Sequence, residues 1–284
     1  MGLVGIVTWD VSPELIRIGC LGLRWYNLLF AAALVVAWFI LRHVFRGEGI
    51  DVKLADRLIT WLFVSGIIGG RLGQVFLYDW PYYRDRLGEI LMIWKGGAAS
   101  HGAAIAMALA VVIFSKRSGL NIWWLCDRIS VVVPVTAAFL RIGNLMNSEV
   151  YGKPAVVPWA FVFPRGRQIL PDGTPLNGVP CHPTQIYEAA AYLAVGLTVY
   201  LIWRKRKAGV IPGRCFGVFL AGTFTARLLI EFLKVPQEMF CNDTGLNMGQ
   251  WLSIPFIVLG VFCILRRSSW DCGRGPQPRP CTHV

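Results

Sequence analysis

Seven long apolar segments constrain the fold of this 284-residue chain more than any other feature. A helix needs about 20 mostly apolar residues to cross the hydrocarbon core of a bilayer, and fewer where flanking side chains reach the interface. The qualifying segments are 22–41, 58–78, 101–115, 122–140, 184–203, 215–233 and 250–265. The sequence therefore predicts an all-α integral membrane protein with seven transmembrane helices.

The composition agrees with a membrane location. Hydrophobic residues make up 55% of the chain, the mean hydropathy is +0.54, and charged residues make up 15%, against roughly 25% in a soluble domain. The net charge of +12 alone could indicate a nucleic-acid binder. However, the basic residues lie in alternate loops, which is how membrane proteins fix their orientation. We therefore predict membrane embedding and no nucleic-acid partner.

The same loops predict the orientation. Loops 42–57, 116–120 and 204–214 and the tail 266–284 hold 15 Lys and Arg, whereas 1–20, 79–100, 150–183 and 234–248 hold 8. The positive-inside rule places the richer set in the cytoplasm, so the N-terminus is expected outside and the C-terminus in the cytoplasm. No cleavable signal peptide is expected, because residues 1–20 carry Asp10 and Glu14 and no run of Lys or Arg.

Two regions outside the predicted spans are longer than an ordinary connecting loop or differ from one in composition, namely residues 150–183 and the tail 266–284. Residues 150–183 form a 34-residue stretch with seven prolines between spans four and five, and so long a loop is uncommon unless it is functional. We predict an outer-face arm that serves as a lid or docking surface, with a solvated linker as the alternative. The chain is thus divided into a seven-helix domain over 1–265, which includes the arm, and a cytoplasmic tail over 266–284. The tail is rich in Pro, Gly and Arg and is expected to be disordered.

The cysteines and histidines indicate no cofactor. The eight cysteines form no CxxC pair, and the four histidines show no ligand spacing. We therefore predict neither a disulfide framework nor a metal site.

Polar residues of six spans converge at one depth, in the outer half of the predicted membrane. They include Tyr26, Arg71, His101, Arg141, Asn144, Asn147, Thr184, Gln185, Glu188, Arg227 and Glu231. A charge within a span costs about 2.5–3.5 kcal/mol on insertion scales unless it faces a partner or water. The arginines outnumber the acids, and the planar guanidinium suits phosphate and carboxylate. The pattern predicts an anion-binding cavity near the outer leaflet, with a phospholipid headgroup as its nearest abundant ligand.

Structural explanations remain open for the single residues. Arg227 and Glu231 are four residues apart and could simply pair. The GxxxG spacings at 66/70 and 69/73 are typical of close helix packing. Arg141, Asn144 and Asn147 share one helix face and could form interhelical hydrogen bonds. The convergence of six spans favours a functional site over separate structural roles.

The stretch RIGNLMNSEVYG at 141–152 resembles the signature of the prolipoprotein diacylglyceryl transferase family, approximately G-R-x-G-N-F-x-N-x-E-x-x-G. The matching residues are Arg141, Gly143, Asn144, Asn147, Glu149 and Gly152, whereas Leu140 and Leu145 replace a Gly and a Phe of the pattern. Further segments that resemble the family occur along the chain in the order that the family has. They are LRWYN at 23–27, GGAASHGA at 96–103, HPTQIYEA at 182–189, ARLLIEFLK at 226–234 and MGQWLS at 248–253.

The resemblance implies a bacterial inner-membrane enzyme with its active site toward the outer leaflet. Such an enzyme moves the sn-1,2-diacylglyceryl group of phosphatidylglycerol to the lipobox cysteine of a prolipoprotein signal peptide. A thioether forms and glycerol phosphate leaves, in the first step of lipoprotein maturation. An outward-facing lipid or anion transporter is the alternative, but it should show internal repeats and broken helices, and the sequence shows neither.

The implied reaction gives the residues their expected roles. A thiol with a pKa of about 8.5 must ionise before it attacks carbon, and His101 is expected to take its proton. Arg141 and Arg227 are expected to stabilise the departing phosphate. The expected substrate-binding residues are Tyr26, Arg71, Asn144, Asn147, Glu149, Gly152, Gln185 and Glu231.

Overall fold

A computed structural model describes residues 5–19, 21–92, 96–206, 211–235 and 246–266. Within these ranges the chain is mostly helical. The α-helices are α1 Trp25–Gly47, α2 Val52–Gly73, α3 Trp80–Tyr83, α4 Ser100–Ser118, α5 Ile122–Met146, α6 Thr184–Arg206, α7 Arg214–Glu231 and α8 Met248–Leu265. A π-helical turn, Gln74–Tyr78, extends α2. The predicted disordered tail lies, but for Arg266, outside the described residues.

Five of these helices are long and apolar enough to cross a membrane, namely α1, α2 with its π-helical turn, α5, α6 and α8. The chain is therefore a multi-pass, mostly helical membrane protein. Helices of 19 and 18 residues, α4 and α7, cover the third and sixth predicted spans. Both carry charges, such as Lys116 and Arg117 at the end of α4. The count of seven spans and the orientation stay predictions.

Local sequence signals set several helix ends. Asn247 and Gln250 form a capping box at the start of α8, with reciprocal side chain-to-backbone bonds of 3.0 Å. At the start of α5, Asn121 Oδ1 accepts the backbone N–H of Trp123 at 2.9 Å. Helix α4 is closed by Gly119, whose φ of 68° is left-handed and costs glycine little.

Short strands add to the predicted all-α fold. Strands β2 Glu14–Ile18 and β3 Leu21–Arg24 form an antiparallel hairpin directly before α1. The first helix therefore begins at Trp25, not at residue 22. Strands β1 Val7–Thr8, β4 Phe161–Val162 and β5 Pro180–Cys181 form a sheet in the order β1-β4-β5, with β1 parallel to β4 and β5 antiparallel to it. Two-residue strands are too short to be recognised by alternation in sequence.

The arm at 150–183 is a folded element. Its core contains the buried side chains of Leu145, Tyr151, Phe163, Leu176, Cys181 and Val235, with Trp9 packed against them. The rings of Tyr151 and Phe163 stack with centroids 4.5 Å apart. Each fully buried large apolar side chain contributes about 1.5–3 kcal/mol, so this core stabilises a defined shape. The solvated-linker alternative is wrong.

The chain divides into two compact units. The first takes Met1–Ile40 and Asp127–Ser268, and the second takes Leu41–Cys126 with Ser269–Val284, of which 269–284 are not described. In the second unit α2 packs on α4 so closely that a Cβ on Gly73 would lie 2.7 Å from the Cα of Gly102. In the first unit, a Cβ on Gly217 of α7 would lie 2.7 Å from the carbonyl oxygen of Gly260 in α8. Both contacts are small-residue packing of membrane helices, which confirms that explanation for the glycines at 66–73.

Candidate functional site

A buried charge network in the first unit is centred on Glu188 of α6, whose side chain is fully buried. Its Oε2 lies 2.9 Å from Nε of Arg141 at the end of α5. Its Oε1 lies 2.9 Å from Nζ of Lys234 and accepts the hydroxyl of Tyr192 at 3.2 Å. Lys234 also lies 3.5 Å from Oε2 of Glu231. Two cations thus face two carboxylates, and the charges of the network compensate one another away from water.

Arg227 of α7 is not part of this charge network. The sequence left open that it pairs with Glu231, but Glu231 pairs with Lys234 instead. In the part of the chain that the structure describes, Arg227 forms no ion pair, although its charge acts on the buried Tyr192. If α7 spans the membrane as predicted, an arginine there without an acid partner is costly unless it faces water or an anion. This guanidinium is therefore the strongest single indication of an anion-binding site.

A hydrogen-bonded chain joins the residues of the 141–152 stretch. Arg141 Nη1 donates to Oδ1 of Asn144 at 3.3 Å. The side-chain amides of Asn144 and Asn147 both donate to Oε1 of Glu149, at 3.0 and 3.1 Å. Glu149 thus fixes the two asparagines, and Asn144 in turn helps to fix Arg141. The interhelical contact left open for this face occurs at Arg141, which meets Glu188 of α6 at 2.9 Å, whereas the bonds of the two asparagines stay within one stretch of chain.

The turn after α5 has an unusual backbone. Ser148 and Val150 have φ angles of 53° and 59°, a left-handed conformation that costs a non-glycine residue about 1–3 kcal/mol and is rare for a β-branched one. The bonds that hold it come from two other parts of the first unit. Trp9 Nε1 donates to Leu145 O at 2.9 Å, and at the start of α6 Gln185 Nε2 donates to Glu149 O at 2.8 Å and Thr184 Oγ1 to Val150 O at 3.0 Å. The surrounding fold therefore stabilises the strained backbone conformation that orients Glu149.

Gly152 lies where three chain segments meet. A Cβ there would lie 2.6 Å from the carbonyl oxygen of Leu233 and 2.8 Å from both His182 Cβ and Thr184 Cγ2. Its backbone N–H donates to the carbonyl of His182 at 2.8 Å. A close backbone approach therefore occurs at this position, and it brings the chain beyond α7 next to the start of α6.

Tyr26, in the first turn of α1, packs directly on Gly143 of α5. A Cβ on Gly143 would lie 2.8 Å from Cδ2 of the Tyr26 ring. The phenol is half-buried and lies within electrostatic range of Glu149 and Arg141. Gly143 thus makes room for Tyr26 beside the charged residues of the site.

Replacing Gly143 with alanine is expected to displace the Tyr26 ring and to lower activity more than stability. Alanine gains up to about 1 kcal/mol of helix propensity over glycine, which offsets part of an overpacking cost of about 1–3 kcal/mol. The measurement is kcat/KM beside the thermal unfolding temperature. Gly196→Ala is the control, because its Cβ would approach Pro134 only to 3.3 Å. Wild-type kcat/KM in Gly143→Ala would show that the position of Tyr26 is unimportant.

Several buried polar atoms around these residues lack a hydrogen-bond partner within the described ranges. They are Asn147 Oδ1, Ser148 Oγ, Gln185 Oε1, Thr223 Oγ1 and Glu231 Oε2. Buried polar atoms are normally satisfied, and each exception calls for a ligand, a water or a functional reason. A ligand with hydroxyl groups would supply donors to the carbonyl and carboxylate oxygens among them.

Arg71 and His101 belong to the second unit. Arg71 is 5% exposed, and its guanidinium donates to the carbonyls of Glu89, Ile90 and Gly96 at 2.7, 2.9 and 2.6 Å. It therefore holds the connection that leads to α4. His101, exposed in the first turn of α4, has its Nδ1 3.0 Å from the hydroxyl of Tyr78. That contact leaves Nε2 as the outward ring nitrogen.

Cys181, in the arm, is fully buried. Burial raises the pKa of this thiol to about 11, so it stays protonated and unreactive at neutral pH. Its neighbour His182 is partly buried, which lowers the pKa of the imidazole.

Sequence reasoning missed two members of the charge network. Glu188 was included among the converging polar residues but given no partner or role, and Lys234 was counted as a loop charge. The available signal for Lys234 was its i,i+3 spacing from Glu231 at the end of a span. The signal for Glu188 was a lone acid in the apolar part of α6, which needs a cationic partner.

Comparison with known proteins gives concordant results. The family model described as prolipoprotein diacylglyceryl transferase matches residues 13–266. A phosphatidylglycerol–prolipoprotein diacylglyceryl transferase of Porphyromonas gingivalis is 40% identical over 276 residues, covering 94% of this chain and 96% of the relative. Proteins with the same name from Tolumonas auensis and Bacteroides fragilis are each 35% identical, covering 90% of this chain and 96% and 93% of their own lengths.

Proposed function

Because the chain belongs to the prolipoprotein diacylglyceryl transferase family, we propose that it transfers the diacylglyceryl group of phosphatidylglycerol to the lipobox cysteine of a prolipoprotein. This is the first step of bacterial lipoprotein maturation. The relatives compared are named as transferases, which does not favour the transporter alternative. The chain is an enzyme, and the residue roles below are our proposal.

We propose seven spans in the bacterial inner membrane, with the N-terminus outside and the active site toward the outer leaflet. Five apolar helices support this arrangement directly. The helices α4 and α7 complete the seven, and their charged residues then face the protein interior or the interface. The arm and the sheet that it forms with β1 would lie on the outer face, where signal peptides emerge.

The main observation that supports a headgroup site is the guanidinium of Arg227, which forms no ion pair with a residue that the structure describes. Arg141 is held on its Nε edge by Glu188 at 2.9 Å. Glu188 therefore orients the Arg141 guanidinium, while Arg227 supplies the net positive charge. The two arginines would bind the phosphate of phosphatidylglycerol through charge-assisted hydrogen bonds. Asn144, Asn147, Glu149, Gln185 and Glu231 would bind the glycerol hydroxyls or orient Arg141.

The transfer step follows from this arrangement. The thiolate sulfur attacks the glyceryl carbon that carries the phosphate, a C–S bond forms, and the C–O bond to phosphate breaks. The bonding electrons go to the leaving glycerol phosphate, whose negative charge increases as the bond breaks. Donors aimed at that phosphate stabilise the transition state more than the ground state. Tyr26 and Gly152 would shape the wall of the site.

His101 is the proposed acceptor of the thiol proton. Its Nδ1 contacts Tyr78 at 3.0 Å, so a basic Nε2 requires the tautomer in which Nδ1–H donates to the Tyr78 oxygen. Arg71, which the sequence predicts to bind substrate, instead donates hydrogen bonds to three backbone carbonyls. We propose that it holds the chain that leads to His101.

The arm is the proposed docking surface for the prolipoprotein. Val156 and Trp159 are 86% and 56% exposed on it. The indole N–H of Trp159 donates to the Tyr187 hydroxyl at 2.7 Å, which ties it to the first turn of α6. Exposed apolar side chains on a well-packed core suit an apolar peptide segment.

The test uses full-length protein in detergent with phosphatidylglycerol and a lipobox peptide, read by mass spectrometry. Wild type is expected to add one diacylglyceryl mass to the peptide cysteine. His101→Gln is expected to lower kcat by about 10²–10⁴-fold, the usual contribution of a general base, and to change the pH dependence of the rate. Full activity with an unchanged pH profile in His101→Gln would reduce His101 to a structural residue. No mass gain with folded, lipid-bound wild type would refute the transferase proposal.

A further inference from the structure

An apolar groove runs between α2 and α4 in the second unit, among residues that have no role in the proposed reaction. Its volume is about 460 Å³, and its lining is Thr60, Trp61, Val64, Ser65, Ile68, Ala106, Leu109, Ala110 and Ile113. The hydroxyls of Thr60 and Ser65 donate to carbonyls of their own helix, at 2.9 and 3.1 Å. The lining therefore offers hydrocarbon to an occupant.

The groove opens to the outside of the protein. On its α2 wall Ile68 is 52% exposed, and on its α4 wall Leu109 is 59% exposed. The small side chains of Ala106 and Ala110 leave room between these walls. Because α2 is long and apolar enough to span a membrane, we expect lipid around the groove. Its volume lies in the usual range of small-molecule sites, about 300–1,000 Å³.

Cationic side chains mark one end of the groove. The rings of Trp61 and Phe114 meet with centroids 5.9 Å apart, which places the first half of α2 beside the end of α4. The guanidinium of Arg117 lies over the Trp61 ring, 5.5 Å from its centroid. Arg57 lies one turn before Trp61 on the same face of α2. Both arginines are exposed, and neither forms an ion pair with a residue that the structure describes.

We propose that this groove binds an anionic phospholipid of the surrounding bilayer, which stays bound and does not react. One acyl chain lies along the groove toward Ile68, and the phosphate lies between Arg57 and Arg117. An apolar channel that ends in two guanidinium groups complements a lipid with a hydrocarbon tail and a negative headgroup. The retained lipid covers the exposed side of the α2–α4 packing.

The test measures lipid binding by native mass spectrometry on delipidated full-length protein. The probes are phosphatidylserine and phosphatidylcholine with identical acyl chains. Phosphatidylserine is expected to bind more tightly, and Arg57→Gln and Arg117→Gln are each expected to weaken it about fivefold, since one basic residue near an anionic lipid contributes about 1 kcal/mol. Leu109→Trp, which fills the groove, is expected to abolish retention.

Two matched controls accompany these variants. Val112→Trp adds the same bulk to an exposed position of α4 outside the groove lining, and Arg84→Gln removes an exposed charge elsewhere in the unit. Both should bind phosphatidylserine as wild type does. The groove variants should keep wild-type transferase activity, so the result is independent of the proposed reaction.

Two outcomes would overturn the proposal. One is equal binding of both lipids that the arginine and Leu109 variants leave unchanged. The other is loss of phosphatidylserine in Arg141→Ala but not in the groove variants, because the bound lipid would then occupy the proposed headgroup site.

Discussion

Arg227→Ala is expected to lower kcat/KM for phosphatidylglycerol by about 10²–10³-fold, the loss typical for removal of one donor to a developing negative charge. Stability should not fall with it. Arg227 has no ion pair within the described ranges, so its removal leaves no acid uncompensated, unlike the loss of a paired residue. The measurements are initial rates over a range of phosphatidylglycerol concentrations and the thermal unfolding temperature in the same detergent.

Two further variants sharpen the Arg227 experiment. Arg227→Lys keeps the charge but loses the planar fork, so partial activity is expected. Arg214→Ala removes the arginine at the opposite end of α7 and should leave the rate unchanged. An Arg227→Ala enzyme with near-wild-type kcat/KM would remove this residue from the headgroup site, and an equal loss in Arg214→Ala would indicate a general effect on α7.

Glu188→Gln is expected to damage both stability and activity. The substitution keeps the shape of the side chain but leaves Arg141 and Lys234 without the carboxylate that lies 2.9 Å from each. Breaking a buried pair in this way costs about 3–5 kcal/mol. Activity should be lost as well, because the Nε edge of Arg141 is no longer fixed. Thermal unfolding and the peptide assay measure the two effects.

The matching double variant separates charge from packing. Glu188→Gln alone leaves two cations, Arg141 and Lys234, with one carboxylate, Glu231, whereas adding Lys234→Met restores the balance of one cation to one carboxylate. The double variant should therefore be more stable than Glu188→Gln alone, although Arg141 remains misplaced and activity stays low. A double variant whose stability loss is the simple sum of the single losses would show that Glu188 and Lys234 are not coupled.

The sequence predicted the helical membrane class because that information is local. Runs of apolar residues and their flanking charges can be recognised without knowledge of tertiary contacts. The helix over 122–140 was predicted, and its extension to Met146, which carries Arg141 and Asn144, agrees with their predicted position at a helix end. The start of α1 was missed because β3 is short and its residues before Arg24 are apolar or glycine, so they extend the apolar run of the helix.

The partners of the polar side chains were less predictable, because they depend on contacts between distant segments. Glu231 has two cations at helical spacing, Arg227 four residues before it and Lys234 three residues after it. The sequence left open the pair with Arg227 within the span, whereas the structure has the pair with Lys234. That choice depends on Glu188, 46 residues from Lys234. Arg71 likewise bonds to carbonyls up to 25 residues away, which no motif specifies.

The left-handed turn at Ser148 and Val150 depends on contacts from distant parts of the chain. Its bonds come from Trp9, near the N-terminus, and from the start of α6, after the arm. A nascent chain in which α5 has formed, but which the N-terminal strand and the arm have not yet joined, lacks the bonds that hold this turn. Under the role that we propose for Glu149, the site would become competent only when these distant parts have assembled.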